Sequence, residues 1–154
     1  MKEEIYWYQK AAENGNKIAQ YNLGLCYQYG NGVEKDKVKA FEWCKKSARQ
    51  RHSNAQNRLG FFYENSIGTN ENLEKAFKWY QKSAEIGNKF AQYNLGNCFT
   101  FGKGVSKNEV KAFEWYKQSA EQGHSNVQNE LGFFYENSIG TSTGKTMTNR
   151  GPIG

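Results

Sequence analysis

Two short segments place a histidine directly beside a serine, the residue types of a hydrolase base and its nucleophile. The segments are His52–Asn54 and His124–Asn126, and both read His-Ser-Asn. Side chains adjacent in sequence rarely meet as nucleophile and base, and no third residue that would orient the histidine recurs beside them. Ser53 and Ser125 are better explained as caps, whose oxygens accept from free N–H groups at a helix start. The sequence therefore predicts a protein that is not an enzyme.

The C-terminal segment Gly140–Thr146 reads Gly-Thr-Ser-Thr-Gly-Lys-Thr and resembles a phosphate-binding loop. That loop needs four residues between its glycines, so that the backbone N–H groups curl around the phosphates. Here only three residues separate Gly140 from Gly144, and no strand pattern precedes them. A nucleotide site is rejected on this spacing.

The cysteines and other ligand-type residues predict neither a disulfide framework, nor a metal site, nor a cofactor. Cys26 and Cys98 stand 72 residues apart (98−26), and Cys44 has no counterpart. Reduced thiols of an intracellular protein are the expected state. No histidine, cysteine or carboxylate group has the spacing of a metal site.

The tryptophans recur at a fixed interval along nearly the whole chain. Each follows the previous one by 36 residues (43−7, 79−43, 115−79), at Trp7, Trp43, Trp79 and Trp115. A longer period overlies this one, since 37 of the 51 residues from Ala19 to Thr69 are identical 72 positions later. A period of this size is typical of stacked helical repeats, which bury one continuous core between neighbours.

One repeat contains two helix patterns separated by a polar, glycine-containing turn. The stripe from Ala40 to Ala48 has apolar or small residues at helical spacing, and it places Trp43 in the predicted core. Residues of N-cap type precede the second helix at Asp36, Asn72 and Asn108. Glycines follow it at Gly15, Gly87 and Gly123, where a left-handed conformation ends a helix. Arg51 occupies that place in one repeat. Because a left-handed conformation is unfavourable for a residue other than glycine, the backbone is expected to be strained there.

This repeat resembles the Sel-1-like repeat, a helix-turn-helix relative of the tetratricopeptide repeat. This chain departs from the pattern at two places. Cys44 stands where the other repeats have tyrosine, and residues 49–51 replace the glycine-containing segment that usually ends the repeat. The residues that carry the resemblance are Leu23, Gly24, Tyr27, Gly30, Gly32, Val33, Lys39, Ala40, Trp43, Lys46 and Ala48, with their counterparts 36 residues later. The resemblance implies an all-α fold, a right-handed α-α superhelix (solenoid) of about eight helices.

The resemblance also implies that the first helix of each repeat lines a concave groove that binds a protein or peptide. The inward-facing positions mix aromatic side chains with asparagines, which supply contact area and backbone hydrogen bonds. The predicted partner-binding residues are Tyr21, Leu25, Tyr29, Asn57, Phe61, Tyr93, Asn97, Phe101, Asn129 and Phe133. An adaptor in signalling or protein quality control is the expected function. The alternative is a β-lactam-binding or β-lactam-hydrolysing enzyme, of the kind reported for some bacterial relatives.

The repeat array is predicted to cover residues 1–141. It begins with an unpaired second helix over 4–14, continues with repeats at about 17–51, 53–87 and 89–123, and ends with a first helix over 126–137. Residues 142–154 are rich in Thr, Ser, Gly and Asn and are predicted to be disordered. Because the last first helix lacks its second helix, either weak self-association through that end is expected or the chain is a fragment of a longer array.

Charge and hydropathy limit the other functions. The formal net charge is +6, yet the aromatics keep core spacing and do not form the base-stacking stripe of a nucleic-acid-binding protein. No long apolar run or leader pattern is present, so neither membrane association nor secretion is predicted and a cytoplasmic location is expected. A local basic cluster suits a phosphate or an acidic peptide, although a solvated face explains it more simply; it comprises Lys45, Lys46, Arg49, Arg51, His52 and Arg58.

Overall fold

The computed structural model describes residues 2–124, and within that range all regular structure is helical. The chain divides into two compact units, Met1–Asn88 and Lys89–Gly154. The first unit contains α1 (Glu3–Glu13), α2 (Lys17–Tyr29), α3 (Lys37–Arg49), α4 (Ser53–Asn65) and α5 (Leu73–Glu85). The second contains α6 (Lys89–Phe101) and α7 (Glu109–Glu121). The predicted all-α class is confirmed, whereas the expected helix over 126–137 and the tail over 142–154 lie outside the described residues.

Within the first unit each helix packs against the next one along the chain, from α1 to α5. In the second unit α6 packs against α7. The leucine that the repeat places at the middle of each first helix is fully buried, at Leu23, Leu59 and Leu95. These contacts bury the apolar stripe that gives each helix its tertiary stability.

Side-chain caps fix where the helices begin. Asp36 Oδ1 accepts from the backbone N–H of Lys39 at 3.0 Å, and Asn72 and Asn108 cap α5 and α7 in the same way. These three predicted caps are confirmed. The cap of α4 differs from the prediction, because the helix begins at Ser53 and His52 is the N-cap. An imidazole nitrogen replaces the expected serine oxygen, since the helix begins one residue earlier than expected.

Buried serines join each second helix to the first helix before it. The hydroxyl of Ser47 donates to the carbonyl of Lys17 at 2.7 Å, and that of Ser83 donates to the carbonyl of Ser53 at 2.7 Å. Ser119 donates likewise to Lys89 at 2.6 Å in the second unit. Because each acceptor lies in the first turn of the first helix, these bonds set the register of the pair.

A glycine in each first helix lies against the side chain at one position of the second helix. A Cβ added to Gly60 would lie 2.7 Å from the ring of Tyr80, and one added to Gly96 would lie 2.5 Å from the ring of Tyr116. Neither distance is compatible with a methyl group, so the ring occupies the space that glycine leaves. Gly24 instead faces the backbone of α3, since Cys44 replaces the tyrosine.

The prediction that Trp43 is a core residue is wrong, because its side chain is partly exposed, as is that of Trp79. The Lys46 ammonium lies 4.5 Å from the ring centroid of Trp43, and that of Lys82 lies 5.0 Å from Trp79. The buried face of α3 is formed by Ala40, Phe41, Cys44, Ser47 and Ala48, and helical spacing places Trp43 at the edge of that face. Trp7 of α1 is 62% exposed.

Arg51 adopts the left-handed conformation that the sequence predicts for it. Its φ is 63°, beside 91° for Gly15 and 98° for Gly87 at the equivalent places. Nothing lies within 4 Å of a Cβ added to Gly15 or Gly87, so the turn has room for a side chain. The cost of a non-glycine residue there is therefore one of backbone conformation, about 1–2 kcal/mol.

Replacing Arg51 by glycine is expected to raise the melting temperature by about 1–4 °C. Relief of the left-handed strain exceeds the added entropy of the unfolded chain by about 0.5–1 kcal/mol, which corresponds to that shift in a domain of this size. Differential scanning calorimetry measures it. Gly15→Ala is the reciprocal control and should lower the melting temperature, and an unchanged or lower value for Arg51→Gly would contradict the strain at this turn.

Gly60→Ala is expected to lower the free energy of unfolding by at least about 1 kcal/mol more than Gly24→Ala does. Both changes gain the same helix propensity, but the new methyl group at residue 60 overlaps the buried ring of Tyr80, and overpacking costs about 1–3 kcal/mol. At residue 24 the nearest atom is the carbonyl oxygen of Ala40 at 3.2 Å. Urea denaturation of the two variants gives the difference, and equal destabilisation would show that the ring is free to move.

Candidate functional site: the first-helix surface

The predicted partner-binding residues of the first unit lie at i, i+4 and i+8 along α2 and at i and i+4 along α4. Helical spacing places each set on one face of its helix. Tyr29 is 54% exposed and Phe61 is 38% exposed, whereas Leu25 is half-buried. Two aromatic rings are therefore accessible to a partner at the C-terminal end of α2 and in the middle of α4.

Arg58 joins these two rings into one surface. Its guanidinium Nη1 donates to the hydroxyl of Tyr29 at 3.2 Å. The guanidinium carbon lies 5.9 Å from the ring centroid of Phe61. These three residues form the Tyr29–Arg58–Phe61 surface. Sequence reasoning did not place Arg58 in the binding set and assigned it only to the basic cluster. Its position directly after Asn57, a residue of the predicted set, was the available signal.

Tyr21 is partly engaged in packing within the protein. Its ring stacks on the imidazole of His52 with 4.9 Å between centroids and an interplanar angle of 28°. Nδ1 of His52 accepts a hydrogen bond from the backbone N–H of Ala55 at 3.2 Å, so Nδ1 carries no proton in this arrangement. Asn57 is half-buried and makes contacts of its own. The Tyr21 ring therefore supports the start of α4, although Tyr21 is also one of the predicted partner-binding residues of α2.

The second unit carries the equivalent positions on α6. Phe101 is 61% exposed, whereas Tyr93 lies 5.2 Å from the ring of His124. Oδ1 of Asn97 accepts from the hydroxyl of Tyr116 at 2.6 Å. Asn97 therefore positions an internal tyrosine, and Phe101 is the accessible aromatic residue of this group. The two remaining predicted residues, Asn129 and Phe133, lie outside the described residues, as does the chain end expected to self-associate.

The first helices that the structure describes carry a net positive charge. α2, α4 and α6 contain three cations, Lys17, Arg58 and Lys89, and one acid, Glu64. Glu64 Oε1 already accepts a 2.7 Å hydrogen bond from the hydroxyl of Tyr80. Arg58 lies between the exposed rings of Tyr29 and Phe61, and the Lys89 ammonium lies 5.4 Å from the ring centroid of the exposed Phe90 in the second unit. The planar guanidinium of Arg58 binds a carboxylate in a bidentate manner.

Three cations of the predicted basic cluster lie beside different aromatic rings. The Lys45 ammonium lies 5.6 Å from the ring centroid of Phe41, and the Lys46 ammonium lies over Trp43 on the same helix. Arg58 contacts Tyr29 instead. The cations of this cluster therefore have different aromatic neighbours.

Three residues of reactive type, His52, Ser53 and Cys44, are engaged in structural contacts. Ser53 Oγ accepts from the side-chain amide of Asn88 at 3.3 Å, while His52 caps the helix. Burial raises the pKa of the Cys44 thiol to about 12, so it stays protonated, and its sulfur donates to the carbonyl of Ala55. Among residues 2–124 no three potential ligands come together as a metal site. Over that range, no helix has the length and apolar character needed to span a bilayer.

The fold and its sequence period define a protein built from tandem helix-turn-helix repeats. The Sel1 repeat model matches residues 5–16, 17–52, 53–88 and 89–124. The chain belongs to the Sel1 repeat family, and its repeats are of the kind that generally serve as protein-interaction scaffolds.

Solved structures support the same conclusion. A protective antigen present in uropathogenic Escherichia coli strains, which displays an SLR fold, matches with a TM-score of 0.82 and 38% identity over 84% of this chain and 28% of its own. A Sel1 repeat protein from Oxalobacter formigenes matches with a TM-score of 0.81 and 36% identity, covering 86% of this chain and 54% of its own. Helicobacter pylori cysteine rich protein B matches with a TM-score of 0.66 and 28% identity, covering 82% of this chain and 91% of its own.

A curated relative matches over a shorter segment. DAP3-binding cell death enhancer 1 of Rattus norvegicus is 50% identical over 34 residues, which is 22% of this chain and 7% of the rat protein. The chain therefore spans only 7% of the length of that relative. It spans 28% and 54% of the first two solved structures.

Lowering the pH from about 7.5 to about 5.5 is expected to destabilise the protein through His52. Burial and the nearby Lys17 lower the pKa of this imidazole from its ordinary 6.5. Below about pH 6.5 the unfolded chain therefore binds the proton more readily, and stability present above that pH is lost as the pH falls towards the folded pKa.

The His52→Asn variant isolates this effect, because asparagine caps the helix without titrating. Melting temperatures measured across the range should fall more steeply for the native protein than for the variant. His124 is present in both proteins and cancels in the comparison. Parallel curves would mean that protonation of His52 does not couple to folding.

Proposed function

We propose that this protein is a non-catalytic scaffold that binds a peptide segment of a partner protein on the first-helix surface. The Tyr29–Arg58–Phe61 surface is the centre of the site in the first unit. Tyr93, Asn97 and Phe101 form the corresponding positions in the second. The single observation that carries the proposal is an arginine placed between two exposed aromatic rings.

This arrangement has the composition of a binding hot spot. Tyrosine and arginine are enriched among the residues that dominate binding energy, and rigid rings lose little entropy when they become buried. Tyr29 and Phe61 are exposed although the same helices bury their leucines completely. An aromatic pair left exposed beside a well-packed core favours contact with a partner over a purely structural role.

Charge decides which kind of peptide fits best. Arg58 is available to a carboxylate, and Glu64 is engaged by Tyr80. We therefore propose a segment in which an Asp or Glu stands next to large apolar residues. The carboxylate would pair with Arg58, and the apolar side chains would cover the rings of Tyr29 and Phe61.

An array of defined peptides tests this proposal. Each peptide carries one acidic residue flanked by leucine or phenylalanine, and each has a partner in which the acid is replaced by its amide. Peptides that bind the native protein should lose at least ten-fold in affinity in the Arg58→Ala variant, as removal of one charged partner costs about 1.5–3 kcal/mol. Tyr29→Ala combined with Phe61→Ala should abolish binding, as measured by fluorescence anisotropy.

Val38→Ala is the matched control, because Val38 is an apolar residue of α3 that is 59% exposed. It should leave every affinity unchanged. Tyr21→Ala is less suitable as a probe, since loss of the stacking on His52 would disturb α4 as well. Equal binding of acidic and amide peptides, or equal binding by the Arg58→Ala variant, would rule out this surface as an acidic-peptide site.

A further inference from the structure

A buried glutamine occupies the same place in each described first helix, at Gln20, Gln56 and Gln92. In two repeats its side-chain oxygen accepts from a glutamine that follows the second helix. Gln50 Nε2 donates to Gln20 Oε1 at 2.8 Å, and Gln122 Nε2 donates to Gln92 Oε1 at 2.7 Å. The repeat therefore normally satisfies this buried acceptor from within.

The middle repeat lacks this donor, because Ile86 stands where the other two have glutamine. Gln56 is only 5% exposed. Its Nε2 donates to the carbonyl of Ala48 at 3.2 Å, whereas its Oε1 has no hydrogen-bond partner within the described residues. A buried carbonyl oxygen without a donor is unfavourable, so this atom is a natural acceptor for a ligand.

Gln56 also lines a cavity of about 350 Å³ together with Arg51, Lys82, Glu85 and Ile86. This volume lies within the range of small-molecule sites. The lining residues are two cations, one acid, one isoleucine and the glutamine whose buried amide oxygen is unpartnered.

We propose that this cavity binds a small carboxylate that carries an N–H group on the adjacent carbon and a short apolar side chain. Arg51 and Lys82 hold the carboxylate, the N–H donates to Gln56 Oε1, and the apolar group contacts Ile86. Two sources share this chemistry, a free amino acid and the C-terminal residue of a peptide. A phosphate satisfies the cations but has no apolar group for Ile86 and brings more negative charge close to Glu85 than a carboxylate does.

Calorimetric titration with defined compounds tests the assignment. Leucine represents the free amino acid and N-acetyl-leucine the peptide C-terminus, and the tighter of the two identifies the source. N-acetyl-leucinamide lacks the carboxylate and isocaproate lacks the N–H, so each should bind at least ten-fold more weakly. The side-chain amide resonances of Gln56 should shift in the NMR spectrum on binding.

Ile86→Gln is the decisive variant, because it restores the residue of the other two repeats and supplies Gln56 with an internal donor. It should fold, melt at a higher temperature and bind the ligand at least ten-fold more weakly. Ile86→Leu keeps the apolar wall and should retain binding, and Val38→Ala, which lies outside the cavity lining, should bind normally. Absence of binding by both leucine and N-acetyl-leucine, unchanged binding by Ile86→Gln, or preferred binding of inorganic phosphate would each overturn the proposal.

Discussion

The close contact between the two helices of each repeat is the constraint on which the rest of the structure depends. It requires a glycine on the first helix, because the ring of Tyr80 or Tyr116 occupies the space of its missing side chain. It also requires a small residue such as Ser47 on the second helix, whose hydroxyl reaches a carbonyl of the first turn. Together these contacts fix distance and register, and every surface position follows from them.

Two departures from the repeat leave a buried acceptor without a donor, and in each the residue that would donate has been replaced. Where the repeat has Tyr80, its hydroxyl donates to Glu64 at 2.7 Å. Cys44 stands at the equivalent place one repeat earlier, and Gln28 Oε1, the counterpart of Glu64, is buried without a partner in the described residues. Ile86 has the same effect on Gln56. Repetition makes such departures informative, because the other copies show which hydrogen bond is missing.

The two proposed sites depend on different kinds of position in the same scaffold. The first-helix surface depends on side chains that the core does not need, so Tyr29 and Phe61 are free to vary with the partner. The cavity beside Gln56 depends on a core position whose internal donor is lost. The first-helix surface is thus separable from the scaffold, which is why a repeat protein acquires binding functions without changing its fold.

The sequence by itself determined the helical class, the repeat length and most helix ends, because each follows from local rules of spacing, capping and left-handed glycine. Asp36, Asn72 and Arg51 behave as those rules predict. Much of the chemistry at the surface was decided only by the tertiary structure. The partial exposure of Trp43, the contact of Arg58 with Tyr29 across 29 residues and the isolation of Gln56 Oε1 depend on which side chains of neighbouring helices meet. Periodicity places a residue on a face, but only packing determines how much of it water reaches and which donor lies beside it.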